Sequence, residues 1–78
     1  MTTATVDIRP ELVDELILLY CDWRTECASV RNAYERFSNA HAPERGLAFG
    51  AYEAALDREE SAAHIYADHV RRLVSMCA

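Results

Sequence analysis

The chain contains no lysine and no glutamine, and only two glycines and two prolines. All eight basic residues are therefore arginine, and no side chain offers a lysine amine for acylation or conjugation. Positive charge is also in deficit: thirteen acids leave a formal net charge of −5. That balance speaks against a phosphate-backbone binder, which needs a basic face, so no nucleic-acid partner is expected. There is no C-x-x-C among the three cysteines, which removes the zinc knuckle and the thioredoxin-like site. Cys21 and Cys27 would lie about 9 Å apart along one helix, too far for a disulfide. Free thiols suit a reducing compartment, so the expected location is cytoplasmic. Long apolar runs are missing as well. Asp14 and Glu15 interrupt the only candidate, so neither a signal peptide nor a membrane span of ~18 apolar residues is expected. No cysteine stands beside a predicted histidine partner, so an activated thiol is unsupported. No catalytic residue, cofactor or enzymatic activity is expected.

What the sequence does contain is an apolar ladder with a step of seven residues. In the first half Leu16, Trp23, Val30 and Phe37 form one row, and Val13, Tyr20, Cys27 and Tyr34 form another. A third row, Leu12, Leu19, Glu26 and Ala33, lies beside them. The second half repeats the device with Phe49, Leu56, Ala63, Val70 and Cys77, flanked by Tyr52, Glu59, Tyr66 and Leu73. A heptad of this kind belongs to helices that wrap against other helices. The expected fold is all-α: an antiparallel two-helix hairpin of coiled-coil character.

Pro10 and Pro43 each suit a first helical position, where a missing N–H costs nothing. The expected organisation is a flexible, Thr-rich arm over residues 1–9, a helix over about 10–38, a connection over about 39–42 and a second helix over about 43–76. Antiparallel pairing would bring Arg31 level with Glu53, Arg24 with Glu60 and Glu26 with Arg58, and set Glu11, Asp14 and Glu15 near Arg71 and Arg72. Large residues then oppose small ones, with Trp23 against Ser61–Ala63 and Val30 against Ala54–Ala55, as close packing requires.

Three apolar rows are more than a two-helix seam uses. The second helix adds an alanine row, Ala48, Ala55 and Ala62, together with Gly46 and Gly50, where another helix could come close. At 78 residues the chain is near the size where one core barely outweighs chain entropy. A surplus apolar face on so small a chain predicts assembly, most simply a homodimer forming a four-helix bundle. The expected partner surface draws on Leu16, Tyr20, Trp23, Val30, Tyr34, Phe37, Tyr52, Tyr66 and Leu73, because aromatic anchors dominate such contacts.

Glu26 and Glu59 each interrupt an apolar row, and a buried carboxylate is costly unless paired, protonated or bound to metal. Glu26 is expected to pair with Arg58, and Glu59 with Arg24 or a tyrosine hydroxyl. Glu60, His64 and Asp68 share one helix face with Arg72, a pattern that supports a solvated helix through Glu60–His64 and Asp68–Arg72 contacts and less often clips a cation. His69, level with Glu15, is a candidate pH-sensitive contact.

Two helices with one inward acid apiece resemble the encapsulated-ferritin proteins and one half of a ferritin-like bundle. The resemblance rests on the architecture and on Glu26 and Glu59, and it implies a metal-binding carboxylate bundle with those two as ligands. Ferritin-like sites also use Glu-x-x-His, and the residue three after Glu59 is Ala62. The leading expectation is a small, acidic, non-catalytic interaction, adaptor or regulatory module; the metal-binding bundle is its rival.

Overall fold

The computed structural model describes residues 10–77; the expected N-terminal arm, residues 1–9, lies outside the described residues. Helix α1 runs Pro10–Asn39 over 30 residues and helix α2 runs Arg45–Cys77 over 33. The two pack against each other as an antiparallel hairpin, and the described residues contain no strand. None of their helices is long and apolar enough to cross a membrane.

Pro10 opens α1, with Glu11 in the first turn where a negative charge meets the positive end of the helix. Pro43 does not open α2. It lies in the turn, after a cis Ala42–Pro43 bond, and the helix begins at Arg45. The Arg45 guanidinium reaches back across the turn, donating to the Ala40 carbonyl at 3.5 Å and sitting 4.4 Å above the Phe37 ring. A helix C-terminus with unsatisfied carbonyls and an aromatic face both favour a cation there. The N–H of Ala48 donates to the Glu44 carbonyl at 3.0 Å, continuing the helical ladder backwards into the turn.

The seam between the helices is built from two rows on each. From α1 come the rows of Leu16, Trp23, Val30, Phe37 and of Leu12, Leu19, Glu26, Ala33, all half-buried or buried. From α2 come Tyr52, Glu59, Tyr66, Leu73 and Ala48, Ala55, Ala62, His69, again half-buried or buried. The alanine row is therefore not a spare surface for a further helix: it is taken up inside the hairpin, with Ala55 only 1% exposed. Gly46 and Gly50 do not serve close approach either, since a Cβ added to either would meet nothing within 4 Å.

The resulting core is thin. Among the described residues the only buried apolar ones are Ala33 and Ala55, and no large side chain is fully buried. Long helices joined along one edge place most side chains within reach of water, whatever their chemistry.

Candidate interaction site

Every aromatic side chain of the protein belongs to one of two clusters along the seam. Near the turn, Phe37 meets Phe49 at 5.3 Å and Tyr52 at 6.3 Å, while Tyr34 meets Tyr52 at 5.5 Å. Further along, Trp23 stacks on Tyr66 at 5.9 Å, and Tyr20 contacts both. Offset and edge contacts of this kind contribute about 0.5–1.5 kcal/mol each beyond area burial.

These contacts also show on which side the third apolar rows emerge. Phe49 reaches Phe37, and Tyr34 and Tyr20 reach across to Tyr52 and Tyr66. The Val13–Tyr20–Cys27–Tyr34 row of α1 and the Phe49–Leu56–Ala63–Val70 row of α2 thus leave the seam on the same side. Together they form one continuous apolar face. Val13, Tyr20, Tyr34, Phe49 and Leu56 are all exposed on it, Tyr34 at 54%. A shallow depression between Val30, Arg31, Tyr34, Glu35 and Tyr52 opens on this face.

The opposite side has different chemistry. Its groove is lined by Asp22, Thr25, Glu26, Asp57, Arg58, Ser61, Ala62 and Ile65. Ile65 is exposed there, among charged and hydroxyl groups.

The two seam acids take different partners. Glu26 accepts from Arg58 Nε at 3.3 Å, as expected, on the polar side. Glu59 accepts from the indole Nε1–H of Trp23 at 2.7 Å, in place of Arg24 or a tyrosine hydroxyl. The shared indole bond explains how an acid sits on an apolar row: Trp23 brings the one polar hydrogen that a carboxylate there can use. No group of three or more His, Cys, Asp or Glu side chains close enough to hold a metal occurs among the described residues.

The remaining expectations divide similarly. Glu60 lies 3.8 Å from His64, whereas Asp68 pairs with Arg71 instead of Arg72. Of the acids expected near Arg71 and Arg72, Glu15 lies instead against His69, its carboxylate 3.6 Å from Nε2. That distance allows charge attraction to a protonated imidazole but is too long for a hydrogen bond. His69 is buried at 6% exposure, and its Nε2 has no hydrogen-bond partner among the described residues. Cys21 and Cys27 are free, the first exposed and the second half-buried. Arg24–Glu60 and Arg31–Glu53 form no ion pair, although they stand level.

Of the residues expected at a partner surface, Leu16, Trp23, Val30, Phe37, Tyr52, Tyr66 and Leu73 are half-buried in the hairpin's own seam. Tyr20 and Tyr34 alone stand on the open face. Val13, Phe49, Leu56 and Val70 join them there, and the seven-residue spacing already held the signal that groups them. Comparison with protein-family models, with curated proteins and with solved structures returned no match.

Proposed function

We propose that the protein is a non-catalytic interaction module that works by covering the open apolar face, and that it associates into a helical bundle to do so. The observation that carries this reading is the contrast between a core of two buried alanines and the exposure of Val13, Tyr20 and Tyr34 on α1 and of Phe49 and Leu56 on α2, on one side of the hairpin. Monomers seldom leave a contiguous apolar surface of that length uncovered unless it is a binding site. A four-helix bundle would give each helix the three inward rows that its sequence supplies.

Leu56→Glu tests the proposal, because it places a charge at the middle of the face without touching the seam. Native mass spectrometry should show an associated wild-type chain and a monomeric, still helical variant. If the wild type is associated and the variant remains so, the face is not the interaction surface.

The rival reading, a metal-binding carboxylate bundle, depends on Glu26 and Glu59 converging. Their pairing with Arg58 and with Trp23 favours a structural role for both. Repeating the mass measurement with iron, zinc and manganese decides between the readings, since two retained ions per dimer would favour the carboxylate bundle.

A further inference from the structure

The open face has charged borders of opposite sign. Arg24 and Arg31 stand four residues beyond Tyr20 and Cys27, one step further round α1 and away from the seam. Glu53 and Glu60 stand four residues beyond Phe49 and Leu56, the equivalent step round α2. The face is therefore edged by arginine along α1 and by glutamate along α2, at the same two levels of the hairpin. All four residues are exposed. The helix axes of a packed pair lie about 8–10 Å apart and these side chains point outward from them, so they do not meet within one chain. Among the described residues the only intrachain ion-pair contact at any of the four is the imidazole of His64, which can carry opposite charge only when protonated, 3.8 Å from Glu60 on the same helix.

Resting on the assembly proposed above, we infer that the face is covered by a second copy of this chain, related by a two-fold axis parallel to the hairpin. That operation lays α1 of each copy over α2 of the other without changing level. Arg24 then meets Glu60 of the second copy and Arg31 meets Glu53 of the second copy. Both pairs occur twice, because the interface is isologous. The apolar rows close between the charged edges, with Cys27 of each copy lying among Leu56 and Ala63 of the other. Each helix gains a second antiparallel neighbour, which favours the alignment of helix dipoles as well.

The other face-to-face arrangement has its two-fold axis perpendicular to the helices. It stacks α1 on α1 and sets arginine edge against arginine edge and glutamate edge against glutamate edge. Like charges across an interface reject that arrangement. The order of charges thus selects one orientation from two that would bury the same apolar rows.

Charge exchange tests the inference. The variants R24E/R31E and E53R/E60R each alter only exposed residues with no arginine–carboxylate partner in the hairpin, and circular dichroism should show unchanged helicity. Sedimentation equilibrium at low salt should show each double variant self-associating at least about tenfold more weakly than the wild type. An equimolar mixture of the two should form a heterodimer as tight as the wild-type homodimer. The quadruple variant R24E/R31E/E53R/E60R, with both edges exchanged, should regain self-association.

Wild-type-like association of both double variants would overturn the orientation while leaving self-association intact. A heterodimer much tighter than the wild type would point to α1 stacked on α1 and overturn it equally. A wild-type chain that stays monomeric at micromolar concentration would overturn the second copy as occupant, and the interaction-module reading would then rest on a different partner for the same face.

Discussion

Glu59 is tolerated on an apolar row because Trp23 supplies a hydrogen-bond donor at 2.7 Å, and that pairing makes the acid hard to replace with an apolar side chain. Glu59→Leu would leave the indole N–H without its acceptor and should cost about 1 kcal/mol in urea unfolding, whereas Glu59→Gln keeps an acceptor and should change stability by no more than about 0.5 kcal/mol. His69 poses the reverse case. Its Nε2 is buried with no hydrogen-bond partner among the described residues, the Glu15 carboxylate standing 3.6 Å away, and such an atom carries a desolvation cost of about 1–3 kcal/mol. His69→Leu should therefore raise the thermal midpoint, at about 4–8 °C per kcal/mol for a domain of this size. Glu26 differs from both, since its Arg58 partner is 55% exposed. A surface pair of that kind contributes roughly 0–1 kcal/mol.

Between the helices the large residues meet one another and not the small ones expected of them: Trp23 stacks on Tyr66, and Phe37 meets Tyr52 and Phe49. Alanines at 48, 55 and 62 form the row beside them, half-buried or buried, and this is why a row that looks like spare room in the sequence is used up inside the hairpin. Gly50 has no such purpose, for it faces open space within a helix. Glycine in a helix interior costs about 0.5–1 kcal/mol relative to alanine. Gly50→Ala should stabilise the chain by about that amount in thermal unfolding, with no effect on association. The turn is held by Arg45, whose contacts with Phe37 and the Ala40 carbonyl put the start of α2 two residues beyond the position suggested by Pro43.

A hairpin with two buried alanines as its apolar core has little to set against the entropy of ordering its helices. Burial across the open face would add what the single hairpin lacks. Folding coupled to association makes stability depend on protein concentration. The thermal midpoint should accordingly rise on raising the chain concentration tenfold in differential scanning calorimetry, and Leu56→Glu should abolish that dependence. A midpoint independent of concentration would mean that the hairpin is stable alone and that association does not contribute to its folding.

The seven-residue spacing and the alternating charges were enough to establish two antiparallel helices and the level at which Glu26 meets Arg58. They were enough because helical periodicity is local and an antiparallel register leaves its mark on both helices. Which apolar rows close on each other and which remain open was not legible, because three adjacent rows on one helix are equivalent until a neighbour chooses among them. The packing made that choice: it drew in the alanine row and Trp23, and left Tyr20, Tyr34, Phe49 and Leu56 outside. The same rotation about each helix axis carried Arg24 and Arg31 to one edge and Glu53 and Glu60 to the other. Residue numbers specify the level of a side chain along a helix, but only the contact between helices specifies the direction in which it faces.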